Sequence, residues 1–374
     1  RAAAAPQLRL PGSPLPRYGH GDWNDSLQPA DPDLAARLVS SWTSILQVQA
    51  LRTLGSGLRM VGRCAVLARR VLALAEATAA ALGRDLSADG LLAGYGLFGE
   101  GGDPELLVHP RDRRTGLSYG VLPWIHAISA DLLSPEEART HLEAIRRHLL
   151  GPDGARLFDR PAPYRGGPMR TFQRAEAATF WGREIGLMYT HAHLRYAEAL
   201  ARVGHGPELL EALGRAHPVG LARRCPQARP RQSTCYYSSS DAVFADRADA
   251  AERYPQLLRG EVDVEGGWRV YSSGPGLFLR LVTETFLGLR RRGMHLEVDP
   301  VLDPRLDGLS ATVPLGAGAL QVEYRVGPRG HGVVAVHADG HELRTMPLTN
   351  PYRPPGVRVL VDQLPGSRLV VEVG

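Results

Sequence analysis

The sequence predicts a mainly α-helical protein closed by a small β-domain. Three observations predict it. Apolar residues recur at helical spacing to about residue 292, helix starts carry recognisable caps, and short β-rich segments take over after Gly293. Helical pairs followed by strands place the two classes in separate regions, residues 18–292 and 293–374, with residues 1–17 as a linker or truncated edge.

In chain order, Asp31-Pro32 reads as an N-cap with proline at the first helical position, and Leu34, Leu38, Trp42, Ile45 and Leu46 continue it at helical spacing. Leu58 to Leu82 is rich in Ala, Leu and Arg and reads as a second long helix. Ser134-Pro135-Glu136-Glu137 is a capping box opening a helix through Leu142, Ile145 and Leu149. Thr171 to Val203 and Gly276 to Leu289 give further helical stretches, separated by Gly/Pro-rich loops at Gly151–Pro168 and Pro226–Ser240. Strands are expected at Leu296–Val298, Ala319–Val326, Val333–His337, Val357–Val361 and Leu369–Val373, with a hairpin turn at Asp339-Gly340. They should form an antiparallel β-sandwich that packs on the helices, because its apolar faces need cover. Arg1–Pro16, rich in Ala, Pro and Arg, shows neither helix nor strand pattern and is expected to pack poorly.

Composition narrows the function. Hydrophobic residues make up 44% of the 374, enough for a sizeable core. The net charge is +5, yet all 44 basic residues are arginine, as GC-rich coding would produce, and they are interspersed with acids. No basic run marks a nucleic-acid partner. No apolar stretch reaches the ~18–20 residues of a membrane span. Cys64, Cys225 and Cys235 have neither metal spacing nor a nucleophile signature, so free thiols in a reducing, cytoplasmic compartment are expected. No G-x-S-x-G elbow points to a serine hydrolase.

Four stretches could carry chemistry. Gly19-His20-Gly21-Asp22-Trp23-Asn24-Asp25 sets two carboxylates and an indole between glycines and a capped helix. Trp offers a flat face to a sugar ring, and a carboxyl beside an aromatic can serve as a general acid. The plainer reading is an Asx-rich turn beside a core Trp. The second stretch, Tyr164 to His193, concentrates arginines and carboxylates, including Arg174, Glu176, Arg183 and Glu184, with His191 and His193. It lacks the i,i+4 histidine spacing of a metal helix, so anion binding fits better than metal. The plainer reading is structural ion pairs and one core histidine. The third, Gly266 to Gly276, sets Ser272, Ser273 and Gly274 before a helix, suiting either an anion site or an ordinary Ser-capped turn. The fourth, Arg231 to Asp241, is polar and aromatic around Tyr236, suiting sugar hydroxyls or an exposed loop.

Taken in order, the four stretches resemble glycoside hydrolase family 94, the cellobiose, chitobiose and 1,2-β-oligoglucan phosphorylases and the phosphorylase-like part of cyclic β-1,2-glucan synthases. The resemblance runs from about Tyr18 to Leu289. It implies an (α/α)6 catalytic barrel followed by a C-terminal β-sandwich. Asp22-Trp23-Asn24-Asp25 looks like the family's D-W-N-D motif, which makes Asp25 the general acid and Trp23 a sugar-site aromatic. Tyr189-Thr190-His191 looks like the segment with the phosphate-binding histidine, His191. Ser273-Gly274 looks like the hydroxyl–glycine pair completing that site, and Glu176 like an acceptor-side sugar ligand. Asp22, Arg174 and Tyr236 join as further substrate-side residues. The G-x-G-D-W-N-D-x-L-Q-P wording and the Cys235–Asp241 run are most similar to the 1,2-β-oligoglucan branch.

The resemblance implies inverting phosphorolysis of a β-linked gluco-oligosaccharide to an α-sugar 1-phosphate, with phosphate as co-substrate and no cofactor or metal. The D-W-N-D motif lies well inside family chains, whereas here it starts at Asp22. The family's N-terminal sandwich, linker helices and first half-barrel, with the donor-side ligands, are therefore expected outside these residues. That predicts an incomplete arc of helices over residues 31–292 and weak phosphorolysis by this chain alone. A homodimer is compatible with the sequence. Two other readings stay open: an inverting hydrolase on the same scaffold with Glu176 or Glu184 as base, and an inactive carbohydrate-binding fragment.

Overall fold

The computed structural model describes residues 8–20, 27–62, 64–100, 102–163, 166–176, 187–269, 273–315, 318–364 and 368–374. Among these, the helices in chain order are α1 (Pro32–Arg37), α2 (Ser41–Val61), α3 (Ala65–Asp85), α4 (Val121–Ser129), α5 (Pro135–His148), α6 (Gln173–Glu176), α7 (Thr190–Val203), α8 (Gly206–Ala216), α9 (Leu221–Arg224), α10 (Arg247–Leu258) and α11 (Ser273–Arg280). Strands concentrate after residue 288, so helical elements precede a C-terminal β region as expected. None of the described helices is long and apolar enough to cross a membrane. The chain forms two compact units: Arg1–Ala192 with Cys225–Arg231 and Ser239–Gly267, and His193–Arg224 with Gln232–Ser238 and Trp268–Gly374.

In the first unit, Asp31 caps α1 by accepting from the Leu34 amide at 2.8 Å. The expected continuation through Leu38 does not occur. Leu38–Ser40 is instead a buried strand, β1, and Ser40 caps α2 through the Thr43 amide. Short pieces β2 (Ser87–Ala88) and β3 (Leu91–Leu92) form a hairpin, and β4 (Tyr95–Leu97) lies between β1 and β5 (Glu105–Leu107). The single helix expected from Leu58 to Leu82 is also broken, because Gly62 ends α2 with φ +70°, a left-handed cap that glycine adopts without strain. Helices α2 and α3 therefore pair as a hairpin around Val48, Leu51 and Ala75.

The Ser134 capping box opens α5 as read: Ser134 Oγ accepts from the Glu137 amide at 3.2 Å, and Glu137 accepts from the Ser134 amide at 2.7 Å. Beside it, Trp124 of α4 is buried and donates to the Leu92 carbonyl at 2.6 Å. A hairpin of β6 (Leu150–Gly151) and β7 (Gly154–Ala155) follows α5. The helix expected across Thr171–Val203 is interrupted by β8 (Met188–Tyr189), which joins β9 (Ser239–Ala242) and β10 (Val264–Gly266) in the order β10-β9-β8. Residues 8–16 pack better than expected: Leu15 is fully buried, and the Leu10 amide donates to its carbonyl at 3.1 Å, closing a tight turn.

In the second unit, α11 runs on into a wider π-helical segment, Leu281–Phe286. The strands then build two sheets. One holds β11 (Leu289–Arg292), β12 (His295–Val298), β17 (Met346–Pro347) and β18 (Val357–Leu360) in the order β11-β12-β18-β17. The other holds β13 (Ser310–Leu315), β14 (Gly318–Val326), β15 (Val333–Ala338), β16 (His341–Glu342) and β19 (Arg368–Val373) in the order β13-β14-β19-β15-β16. Inward residues of both sheets, among them Leu296, Val298, Val322, Tyr324, Val359 and Val371, share one core. Each such aliphatic burial is worth about 1.5–3 kcal/mol.

The sandwich is not antiparallel throughout. The final strand β19 lies between β14 and β15, antiparallel to β15 and parallel to β14. Two strands of opposite direction flank it, so one of its ladders has to be parallel. Asp339 and Gly340, both at positive φ, make the expected hairpin turn. The sandwich also packs on helices of its own unit. Arg353 donates to the Ala201 carbonyl at the end of α7, and the Gly206 Cα lies so close to the Leu302 carbonyl that a Cβ would sit 2.0 Å from its oxygen.

Candidate functional site

The D-W-N-D residues Asp22, Trp23 and Asp25 lie outside the described residues; the segments on either side are described. On the near side Tyr18 is buried, its amide bonds the Leu38 carbonyl at 2.7 Å, and its ring meets Tyr95 edge-on at 5.2 Å. Gly19, at φ +63°, donates to the Ala35 carbonyl of α1. On the far side Leu27 is buried and Asp31 caps α1.

The far side also pairs with the second stretch. The Ala30 amide bonds the Thr171 carbonyl at 2.9 Å, the Gln173 amide bonds the Gln28 carbonyl at 2.8 Å, and Pro29 bridges Phe172. Glu176 follows one helical turn later. Its Oε1 accepts from the Thr171 and Phe172 amides, both at 2.8 Å, and its Oε2 accepts from the Arg170 amide at 2.6 Å. A carboxylate offers about four acceptor positions, so roughly one is left for an incoming group. Arg174 lies in α6, and its side chain is outside the described set. A groove of about 1080 Å³ runs along these segments, lined among others by Arg17, Tyr18, His20, Gln28, Asp31 and Gln173. That volume is at the upper end of small-ligand sites.

His191 is half-buried in the first turn of α7, its ring 6.5 Å from Tyr189 in an edge-on arrangement. The strand before it brings stretches two, three and four together within the first unit: Tyr189 pairs with Ser239, and Gly266 pairs with Ser240 on the other side of β9. The Gly267 amide also bonds the Ser239 carbonyl at 3.1 Å. Ser240 is fully buried and receives the Arg231 guanidinium at 2.7 Å. His193 is the core histidine of the plainer reading, fully buried with Nε2 at 2.8 Å from the Ala212 carbonyl. Among the described residues no three His, Cys, Asp or Glu side chains are grouped to hold a metal ion.

In the second unit Gly274 is buried in the first turn of α11, and the Ser273 side chain lies outside the described set. Tyr236 packs its ring against His217 (6.0 Å) and Phe278 of α11 (5.6 Å). Burial raises its phenol above the usual value, so it stays a neutral donor and acceptor at neutral pH. Helices α7 and α11 are tied by Glu198, which accepts from Arg195 and Arg280, each at 2.7 Å. Burial pushes the Glu198 carboxyl up, but the two guanidiniums outweigh it and hold it below the usual range. His217 was not selected from the sequence, since a histidine before proline at a helix end carries no local mark of a ring cluster. The structure therefore joins the flank of the D-W-N-D segment to Glu176, and Tyr236 to the helix that Ser273 and Gly274 open. The joint placement of Asp25, His191 and Ser273 falls outside what the described residues cover.

No family model matches the chain. It is 38% identical over 325 residues to a 1,2-beta-oligoglucan phosphorylase of Listeria innocua serovar 6a. The match takes in 87% of this chain and 29% of that relative, so the chain spans less than a third of the relative's length.

Proposed function

We propose that this chain is part of an inverting β-glucoside phosphorylase acting on β-1,2-linked gluco-oligosaccharides with inorganic phosphate. The observation that carries the reading is a similarity running through 87% of the chain to a protein named for that activity. The pairing of residues 28–30 with 171–173, which sets Glu176 beside the D-W-N-D flank, supports it. In this reading residues 18–292 are part of an (α/α)6 barrel, residues 293–374 are its C-terminal sandwich, and the enzyme is cytoplasmic.

The chemistry is a single displacement. Asp25 protonates the glycosidic oxygen as the bond to the anomeric carbon breaks. Phosphate attacks that carbon from the opposite face, and the β-linkage yields an α-sugar 1-phosphate. His191, Ser273 and the backbone at Gly274 hold the phosphate through charge-assisted and hydroxyl hydrogen bonds. Trp23 and Asp22 line the sugar, with Glu176, Arg174 and Tyr236 on the substrate side. No cofactor is required.

An inverting hydrolase would instead need a second carboxylate to activate water. Of the two candidate bases, Glu184 lies outside the described residues, and Glu176 is poorly suited to that task because three backbone amides already occupy it. The test incubates the complete gene product with β-1,2-gluco-oligosaccharides, with and without phosphate. Phosphate-dependent release of α-glucose 1-phosphate is expected. Cleavage at the same rate without phosphate, giving free glucose, rules the phosphorylase reading out.

A further inference from the structure

Trp268 is a large apolar side chain left 65% exposed in the second unit. Its backbone is held on both sides: its amide donates to Ser238 Oγ at 3.0 Å, and its carbonyl accepts from the Ser238 amide at 2.9 Å. The next residue, Arg269, pairs across to Tyr237 and donates to the Gln232 amide oxygen at 3.1 Å. Gln232 is itself pinned, its backbone N–H donating to the Tyr237 hydroxyl at 2.8 Å and its side-chain nitrogen to Thr234 at 3.0 Å. The indole thus rises from a pinned backbone, next in sequence to an arginine whose guanidinium is already held by Gln232.

We propose that the Trp268 indole face is a stacking platform for one glucosyl ring of the oligosaccharide, with Arg269 and Gln232 addressing its hydroxyls. The choice of a saccharide rests on the function proposed above; the platform itself rests on the geometry. A sugar ring has an apolar face of C–H groups and an equatorial rim of hydroxyls, which an aromatic plane with a polar border matches. Preset donors and acceptors also lower the ordering cost of binding.

The experiment titrates the full chain with β-1,2-glucotriose in the absence of phosphate, following tryptophan emission and the heat of binding. Trp268→Ala should raise Kd by about tenfold, the scale of one aromatic contact. Trp268→Phe should lose the emission change while recovering most of the affinity. In the complete gene product, Trp268→Ala should raise the KM for oligosaccharide and leave the KM for phosphate in place. An unchanged Kd in Trp268→Ala, or no binding by the wild type, overturns the proposal. Trp268-dependent binding without any phosphorolysis would sink the proposed activity and keep the platform.

Discussion

Removing the Glu176 carboxylate tests whether this residue organises the site or touches the substrate. In Glu176→Ala three backbone amides lose their acceptor at once. Hydrogen bonds to a charged group contribute about 1.5–3 kcal/mol each when shielded and less when wet. The Arg170 bond is exposed and water replaces it, whereas the Thr171 and Phe172 bonds are part-buried, with both residues almost fully covered. The expected local loss is therefore about 3 kcal/mol, on the order of a hundredfold in the opening equilibrium of residues 170–173. Because these residues pair with 28–30, opening should spread to the D-W-N-D flank. Glu176→Gln should be milder: its amide oxygen can keep the Thr171 and Phe172 bonds, while its NH2 group faces the Arg170 N–H donor. The assay is amide hydrogen exchange across 28–30 and 170–173, alongside the KM for oligosaccharide. Graded loss of protection, Ala greater than Gln, is expected. Full protection in Glu176→Ala, with only the KM raised, would refute the organising role and leave Glu176 as a direct sugar ligand.

Three further outcomes follow from the same structure. His141 is buried and neutral, with Nδ1 2.6 Å from the Glu137 carbonyl and Nε2 accepting from the Leu92 amide at 3.0 Å; burial holds its folded pKa below the ordinary 6.5. The unfolded chain then takes up a proton first, so stability is full above about pH 6.5 and falls as pH drops toward the lowered folded value; urea midpoints should show this, and the slope should flatten in His141→Gln. Gly206→Ala sets a Cβ 2.0 Å from the Leu302 carbonyl oxygen, while a Cβ at Gly57 of α2 meets nothing. The first should cost about 3 kcal/mol and the second should stabilise by roughly 0.5–1 kcal/mol, both read from thermal unfolding. Asp25→Asn in the complete gene product should lose at least ~10²-fold in phosphorolysis while sugar binding persists, and a near-normal rate on an unactivated leaving group would remove the assignment.

Features written in a few neighbouring residues were legible in the sequence: the Ser134–Glu137 box, the Asp31-Pro32 helix start and the Asp339-Gly340 turn are each complete within four residues. Features decided by distant partners were not. Leu38 fits a helical period with Trp42 and Ile45, yet it is a strand because Tyr95–Leu97 pairs with it. Met188-Tyr189 looks helical for the same reason and is drawn into a sheet by Ser239-Ser240. The residue types of the candidate site were readable because Trp, carboxylates and Gly-flanked hydroxyls have few joint uses. The contact between the D-W-N-D flank and the Glu176 turn was not, since it depends on main-chain bonds between residues 28–30 and 171–173. Nothing in those side chains encodes that pairing.

The arginine-rich composition raises the question of what would hold a phosphate dianion in the proposed reaction. Arginine is the usual answer, and this chain has 44 basic residues, all of them arginine. Among the described residues, three arginines in or close in sequence to the candidate stretches already hold partners. Arg195 and Arg280 both bond Glu198, tying α7 to α11, and Arg231 is turned onto buried Ser240. Helix α7 opens at Thr190, one residue before His191, and α11 opens at Ser273-Gly274; a helix N-terminus carries unpaired amides and the positive end of the helix dipole. Glu198 thus neutralises the Arg195 and Arg280 guanidiniums and links α7 to α11 within the second unit. A phosphate held by the proposed histidine and hydroxyl would be less tightly clamped than one gripped by a bidentate arginine pair, which suits a nucleophile that has to leave its site with the sugar.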